Sequence, residues 1–180
     1  MNSYSYQENL ESERLRTRFL NENDIKIWAE FFENKEATEF LMSFGLESTF
    51  ERAKHMIGKQ FDRYSENRFG HQALIDKKSN EFIGLCGLLT QEVDGIIEIE
   101  VGYHILKKHW GKGYAPEAAK LFIDYAFENK LADSVISVID FGNVKSQRVA
   151  EKNGLKIEKE IKYHDDEDVY IYRVEKVNWQ

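Results

Sequence analysis

The sequence predicts a mixed α/β fold, in which helices pack on the faces of one sheet. The hydrophobic pattern changes repeatedly between the two-residue period of strands and the period of about 3.6 residues of helices. Along the chain the elements follow the order β-α-α-β-β-β-α-β-α-β-β. The 180 residues contain no linker, repeat or low-complexity tract. We therefore expect a single domain over residues 1–180, with a core over about 12–177.

The first third of the chain predicts one strand and two helices. Residues 14–19 alternate arginine with Leu15, Thr17 and Phe19, which is the pattern of a first strand. Residues 21–34 follow an Asn and Asp start with helically spaced aromatic side chains. In residues 47–67, Ser48 and Glu51 have the spacing of a capping box. The stripe that this second helix is expected to bury is Phe50, Ala53, Ile57, Phe61 and Tyr64.

The middle of the chain predicts three strands. Residues 69–76 and 81–89 form a hairpin about a turn at 77–80, and residues 96–105 add the third strand. Gly84 and Gly87 indicate a bulge or a close approach of backbone. Cys86 lies in the same apolar run and is expected to be a buried strand residue.

The last third returns to helices and ends in a strand pair. A helix begins near Ala115, a strand covers residues 134–140, and a short helix covers 143–153 with Gly154 just after its end. Residues 155–163 and 168–176 form an antiparallel pair. The acidic turn between them, at 164–168, is either an exposed hairpin end or a feature that steers cationic molecules.

Composition excludes several classes of function. The formal net charge of −7 argues against a nucleic-acid-binding protein and is compatible with a cationic partner. One cysteine and no Cys/His cluster give no metal site and no disulfide framework. No apolar run approaches the roughly 20 residues of a membrane span, and the polar start lacks the apolar core of a signal peptide. These features predict a cytoplasmic protein.

Two glycines stand directly before the third predicted helix. Pro116 fits the first turn of a helix, where its missing N–H removes no hydrogen bond. Gly111 and Gly113 therefore precede a helix N-terminus, where free N–H groups and the helix dipole favour an anion. Lys108 and Lys112 add positive charge. The alternative is a strand–helix turn that needs glycine for its shape alone.

Two nucleotide-binding motifs fail at this loop. The P-loop spacing of its glycines and the Gly-Lys-Ser/Thr sequence are absent. The dinucleotide motif requires a third glycine where Pro116 stands. The motif also requires a parallel strand before it, whereas the strands that precede this loop are of the hairpin type. Because Asp140 could serve as the ribose-binding acid, a dinucleotide-dependent oxidoreductase stays a minor alternative.

The strand at 96–105 carries two carboxylates on one face. With a period of two, Glu98, Glu100, Gly102 and His104 share that face. Since the strand leads directly to the glycine loop, its acids are placed to meet a cationic molecule. The alternative is a half-solvated strand with its acids in water. His104 is a candidate for relaying a proton, although a packed or surface histidine is the more common case.

These motifs together resemble the GNAT superfamily of acyl-CoA-dependent N-acetyltransferases. The residues that carry the resemblance are "WGKGYAPEAAKLFIDYAFE", the following strand and "DFGNVKSQRVAEKNGLK". The opening "LESERLRTRFLNENDI" and the strand "EVGYHI" are similar to the branch that acetylates ribosomal-protein serine or alanine. The resemblance implies the GNAT fold, a mixed and mostly antiparallel twisted sheet of about six to seven strands flanked by about four helices.

The resemblance also implies which residues bind acetyl-CoA. The family's pyrophosphate loop corresponds to Lys108, His109, Trp110, Gly111, Lys112 and Gly113, continued by the backbone of Tyr114 and Ala115. Lys108 stands where the family has Gln or Arg. The strand residues Tyr103, His104 and Ile105 are expected to pair with the pantetheine arm, and Asn143 and Ser146 to contact pantetheine or the thioester. Asn143 has a second interpretation as a helix N-cap.

The catalytic residues are implied in the same way. An amine must lose its proton before it attacks a thioester, so a base or a water held by one must lie beside it. The family position for this role is Glu100, and Glu98 is the second candidate. Many GNAT enzymes carry a Tyr as general acid where this chain has Ala150, so Ser146 is considered as its substitute.

The resulting prediction is an acetyl-CoA-dependent N-acetyltransferase that uses no metal. A primary amine, with a protein N-terminal amine as one candidate, attacks directly in a ternary complex, and a backbone donor of the opened strand polarises the thioester carbonyl. The acceptor side is expected to be built by the two early helices, Asp24 to Phe32 and Ser48 to Asn67. The alternatives are a small amine, polyamine or antibiotic as acceptor, and a CoA-binding module without catalysis. The oligomeric state is expected to be monomer or homodimer.

Overall fold

The computed structural model describes residues 6–41, 44–163 and 167–179. Seven strands form one sheet in the order β1-β2-β3-β4-β5-β7-β6. Their bounds are β1 Leu15–Arg18, β2 His71–Asp76, β3 Phe82–Val93, β4 Ile96–Ile105, β5 Ser134–Asp140, β6 Lys156–Lys162 and β7 Asp168–Glu175. Neighbouring strands run antiparallel except β4 and β5, which run parallel. The predicted mixed, mostly antiparallel sheet is confirmed.

Five α-helices are present in the described parts of the chain. They are α1 Asn23–Glu33, α2 Lys35–Thr38, α3 Thr49–Ser65, α4 Tyr114–Glu128 and α5 Val144–Lys152. Two 3₁₀ turns follow β4 and β7, at Lys107–His109 and Lys176–Asn178. The single-turn helix α2 is the one helix that the sequence pattern does not predict, because four residues are too few to show a period.

The helices cover both faces of the sheet. On one face α4 packs Ala118, Phe122 and Ala126 against β3 and β4. On the other face α1 and α3 enclose a second apolar core around Trp28 and Ile57. Cys86 belongs to the α4 side and is fully buried, as predicted, and burial raises the pKa of its thiol.

Helix α3 corrects one part of the prediction. Its N-terminus is capped as expected, since the Ser48 hydroxyl accepts a hydrogen bond from the Glu51 N–H at 3.1 Å. Phe50, however, is 51% exposed, so its assignment to the buried stripe is wrong. The residues that α3 buries are Ala53, Met56, Ile57 and Gln60. This i, i+3, i+4, i+7 set begins one turn after Phe50, which lies in the first turn, where the helix starts.

The remaining predicted elements agree with the structure apart from their ends. Gly84 and Gly87 mark close approaches of backbone, as predicted. A Cβ on Gly84 would lie 2.2 Å from the His104 carbonyl oxygen, and a Cβ on Gly87 would lie 2.2 Å from the Gly70 carbonyl oxygen. α5 is capped by the Asn143 side chain and followed by Gly154 with a φ of +73°. The predicted acidic turn at 164–168 falls largely on residues 164–166, which lie outside the described residues.

Candidate active site

A cleft opens where β4 and β5 separate. These parallel strands pair at Glu100 and Ile136, and beyond that point the space between them belongs to a cleft of about 1000 Å³. Its walls come from β4, β5, α5, the loop before α4 and the segment at 36–41. Of the two early helices expected to build the acceptor side, α1 contributes Phe31 to the lining. Most of that side comes instead from residues 36–41.

The loop at 108–115 has the geometry of an anion site. Gly111 and Gly113 have φ values of +73° and +80°, a left-handed conformation that favours glycine. α4 begins at Tyr114, directly after them. The first N–H groups of a helix have no intrahelical partner, so here they and the positive end of the helix dipole face the loop. Pro116 lies in the first turn, as predicted.

Arg14 holds this loop in place from outside the cleft. Its guanidinium donates to the carbonyl oxygen of Lys112 at 2.8 Å and pairs with Glu117 of α4 at 2.6 Å. Glu117 also accepts from the Arg14 backbone N–H at 2.7 Å. These contacts tie the loop to α4 and to the chain just before β1.

Six of the eight loop residues named from the sequence line the cleft, and two lysines do not. The lining residues are His109, Trp110, Gly111, Gly113, Tyr114 and Ala115. Lys108 instead pairs with Glu30 at 2.9 Å, and the Lys112 side chain is also absent from the described lining. The cationic wall is a face of α5, made of Lys145, Arg148 and Lys152.

Glu36 of α2 closes one edge of the cleft. Its carboxylate accepts hydrogen bonds from both Lys107 and Lys145. These two donors lower the pKa of Glu36 to about 2. Both ammonium groups also lie over the Trp110 ring, at 4.0 and 4.9 Å from its centroid. The cluster joins α2, the anion loop and α5.

Alternate residues of β4 direct their backbone groups toward β5 and the cleft. The Val101 carbonyl accepts from the Ser137 hydroxyl at 3.1 Å, and the Ile105 carbonyl accepts from the Trp110 indole at 2.7 Å. Because strand backbone groups alternate in direction, the N–H and C=O of Tyr103 point to the same side, into the gap. The Tyr103 hydroxyl donates to the Ser146 carbonyl at 3.1 Å, which ties β4 to α5 below the gap.

Glu100 lies at the point of separation and is 7% exposed. One carboxylate oxygen accepts from the Val138 backbone N–H at 3.0 Å, and the other accepts from the Gln91 amide at 2.6 Å. Tyr163 donates to the Gln91 oxygen at 3.1 Å and so orients that amide. Burial raises the pKa of Glu100, and the hydrogen bonds from Gln91 and Val138 oppose this in part. A buried carboxylate with a raised pKa is a stronger base than an exposed one.

The other residues of the acidic face have different surroundings. Glu98 forms an ion pair with Arg173 at 2.8 Å, and Arg173 also pairs with Glu158 at 2.9 Å. Glu98 is not among the described residues that line the cleft. His104 does line the cleft, and burial lowers its pKa to about 4. The structure therefore brings Glu100 and His104 together with the loop, while Glu98 lies beside the sheet's far strands.

The start of α5 carries the remaining predicted residues. The Asn143 side chain accepts from the Ser146 N–H at 3.2 Å, so the N-cap interpretation is confirmed. Asn143 and Ser146 both line the cleft, so both lie where the predicted contacts with the cofactor can form. Ala150 is buried, at 3% exposure. Because an alanine stands here, the helix offers no hydroxyl at this position.

Sequence reasoning missed Gln91, Val138 and Tyr163. Each touches Glu100 or its partner, yet Gln91 and Tyr163 are 72 residues apart. The available signal is weak: Gln91 is a polar side chain on a strand that neighbours β4.

In the described parts of the chain, no helix is long and apolar enough to cross a lipid bilayer. Within the same residues, no three His, Cys, Asp or Glu side chains are grouped to hold a metal ion.

Known proteins share this sequence pattern. The N-acetyltransferase p20 of Bacillus licheniformis is 28% identical over 173 residues, which cover 92% of this chain and 94% of the relative. The uncharacterized protein YkkB of Bacillus subtilis (strain 168) is 41% identical over 87 residues. That match spans 48% of this chain and about half, 51%, of YkkB.

Solved structures share the fold, and a family model covers most of the chain. A ribosomal-protein-S5-alanine acetyltransferase from Vibrio fischeri superposes with a TM-score of 0.70 at 20% identity, over 94% of this chain and 97% of that one. A spermidine N-acetyltransferase from Vibrio cholerae, solved with CoA and spermine, gives 0.72 at 18% identity, over 93% and 98%. The model of the acetyltransferase (GNAT) domain matches residues 14–156. The chain belongs to the GNAT family of acetyltransferases.

Proposed function

We propose that the protein transfers an acetyl group from acetyl-CoA to a primary amine, with a protein N-terminal amine as the acceptor. The observation that carries the proposal is the cleft between β4 and β5. One end presents a helix N-terminus and the α5 cations, and the other presents the buried carboxylate of Glu100. A site for the phosphates of acetyl-CoA and a carboxylate for the amine proton therefore lie in one continuous space. Amide formation from acetyl-CoA requires both.

The residues present fit acetyl-CoA, which supplies the acetyl group as a thioester. The N–H groups after Gly111 and Gly113 suit the pyrophosphate, and Lys145, Arg148 and Lys152 neutralise further phosphate charge. The backbone C=O of Tyr103 offers a strand-edge acceptor to an extended amide-containing arm.

Glu100 prepares the attacking amine. An ammonium group that enters beside the carboxylate gives up a proton, directly or through one water, and the carboxylate oxygen takes it. The raised pKa of Glu100 makes this transfer less unfavourable. The freed lone pair attacks the thioester carbon, the C–S bond breaks with its electrons on sulfur, and the nitrogen passes its second proton to the thiolate, which leaves as a thiol. The proton held by Glu100 is then released to solvent. The Tyr103 N–H donates to the carbonyl oxygen as negative charge develops there.

The leaving thiolate meets no tyrosine hydroxyl on α5, because Ala150 occupies that position. Ser146 lines the cleft one turn closer to the start of the helix. We assign its hydroxyl the role of hydrogen-bond donor to the sulfur. Because a thiol has a pKa of about 8.5, the thiolate is a good leaving group and needs no strong acid in order to leave.

The acidic side chains of the cleft favour a cation as acceptor. Glu39, Asp140 and Glu167 line the cleft in addition to Glu100. This charge suits the α-ammonium group of a protein chain. It also suits a polyamine or another small cationic amine, and that is the second candidate acceptor class.

The experiment is a turnover assay with acetyl-CoA over a panel of amines: peptides that begin with Ser or Ala, spermidine, and an aminoglycoside. Mass spectrometry identifies the acetylated product. The proposal expects peptide acetylation at the α-amine, and preference for spermidine or the aminoglycoside selects the second class. Binding of acetyl-CoA with no transfer to any amine indicates a CoA-binding module, whereas binding of NAD and not acetyl-CoA overturns the proposal.

A further inference from the structure

His71 contributes a buried imidazole to the wall of the cleft. The residue is 5% exposed and belongs to the described lining. Within the described chain, neither ring nitrogen has a hydrogen-bond partner, although both are buried. A neutral imidazole carries one N–H donor and one acceptor lone pair, and leaving these groups buried and unpaired destabilises the fold. Such a group points to a ligand.

The backbone of His71, in contrast, is firmly held by α3. Its N–H donates to the Gln60 side-chain oxygen at 2.9 Å, and its carbonyl oxygen accepts from the Tyr64 hydroxyl. The Gln60 side chain in turn donates to the Met56 carbonyl at 3.2 Å. The start of β2 is therefore fixed, and only the ring of His71 lacks partners.

Two glycines let this ring reach the catalytic strand. His71 pairs with Gly87 of β3, which pairs with Gly102 of β4, so the three lie in one row across the sheet. A Cβ on Gly102 would lie 3.0 Å from the His71 Nε2 atom and 3.1 Å from Leu89. The imidazole therefore takes the place that a side chain at position 102 would fill.

This insertion completes a polar row on one face of β4. The row runs from Glu100 to the His71 ring over Gly102, and then to His104. The His71 and His104 rings are 5.2 Å apart, centre to centre, at an interplanar angle of 68°. Burial, followed by the nearby His104 and Arg63, holds the pKa of His71 well below its usual value. The ring is therefore neutral near pH 7 and retains a lone pair for an amine N–H.

We propose that His71 is an acceptor-binding residue, whose imidazole accepts a hydrogen bond from the amino group that Glu100 deprotonates. The inference rests on the proposed function and adds a residue that orients the amine. The ring already belongs to the lining of the cleft, beside the Cα of Gly102. With one N–H held by His71 and one proton taken by Glu100, the lone pair of the amine is directed to the thioester.

The test compares His71→Leu with His71→Gln, using the best amine of the panel and saturating acetyl-CoA. Leucine removes the hydrogen-bonding group, and we expect kcat/KM for the amine to fall about 10-fold to 100-fold. Glutamine places an amide at the reach of Nε2 and is expected to recover part of this loss. The melting temperature of His71→Leu should equal or exceed that of the wild type, because two unpaired buried nitrogens are removed.

The matched control is His55→Leu, on the exposed side of α3 and outside the described lining. It should leave kcat/KM unchanged. Unchanged kcat/KM in His71→Leu overturns the inference, as does a loss accompanied by weaker acetyl-CoA binding in calorimetry or a lower melting temperature. If wild-type protein acetylates no amine of the panel, the proposed function itself fails, and the inference falls with it.

Discussion

The carboxylate of Glu100 accepts a hydrogen bond from the backbone N–H of Val138, at 3.0 Å, across the point where β4 and β5 separate. A side chain therefore satisfies the strand donor that a further rung of backbone pairing would have used. The carboxylate therefore lies at the point where the cleft opens. Any change at Glu100 must accordingly be judged on both folding and chemistry.

The stability of Glu100→Gln should depend on pH relative to the wild type. The folded-state pKa of Glu100 is raised above the unfolded value of about 4.3. Its contribution to stability is therefore full below that unfolded value and is lost as pH rises through the folded value. Glutamine does not titrate. We expect the free energy of unfolding of the variant, minus that of the wild type, to increase from pH 4 to pH 8 in urea titrations. A difference that decreases with pH contradicts this assignment.

Gly111→Ala should weaken acetyl-CoA binding. Gly111 has a φ of +73°, and a Cβ there meets no atom within 4 Å, so in the free protein the substitution adds backbone strain alone. In the complex the methyl group would hinder the close approach of phosphate to the loop backbone. That strain costs roughly 1 to 2 kcal/mol of folding free energy. Gly154 has the same φ and the same open surroundings but lies after α5, outside the described lining. Gly154→Ala is thus the matched control. We expect both variants to lose equal stability, but only Gly111→Ala to bind acetyl-CoA more weakly. Equal affinities would remove the loop from the CoA site.

Gly102→Ala should displace the His71 ring. The added Cβ would lie 3.0 Å from Nε2 and 3.1 Å from Leu89, so both neighbours must shift. We expect loss of transfer activity together with about 1 kcal/mol of stability. Gly58 in the middle of α3 has open space around it, and Gly58→Ala should instead stabilise the protein by about 0.5 to 1 kcal/mol with no effect on transfer. Full activity in Gly102→Ala would show that the ring position is not critical.

Glu36→Gln should strengthen acetyl-CoA binding at low salt. The change frees Lys107 and Lys145 from their shared carboxylate, and Lys145, which lines the cleft, becomes available to phosphate. For exposed charges we expect a gain of up to about fivefold in affinity, which high salt abolishes. The control is Glu30→Gln, which frees Lys108, whose side chain lies outside the described lining. Similar gains in both variants would indicate a general effect of net charge.

The sequence predicts most of the fold and one end of the site, because those features are local. The capping at Ser48 and Asn143, the helix start after Gly113 and the shared face of Glu100 and His104 follow from spacing alone. Composition and spacing do not name CoA; that expectation came from the resemblance to the family.

The other end of the site depends on contacts between distant residues. Gln91 meets Tyr163, Arg14 meets Glu117 and His71 reaches Gly102, and none of these pairs leaves a periodic signal in the chain. The exposure of Phe50 fails for a related reason: a hydrophobic stripe shows which face of a helix is apolar, and neighbouring elements decide how far along the helix it is covered.

The most direct test of the account is acetyl transfer by wild-type protein and Glu100→Gln, measured at saturating acetyl-CoA with the best amine of the panel. Glutamine keeps the size of the side chain and an oxygen for the Val138 N–H, but it cannot take up a proton at neutral pH. We expect kcat to fall about 100-fold or more, while acetyl-CoA affinity is unchanged. Equal kcat values in the two proteins would contradict it.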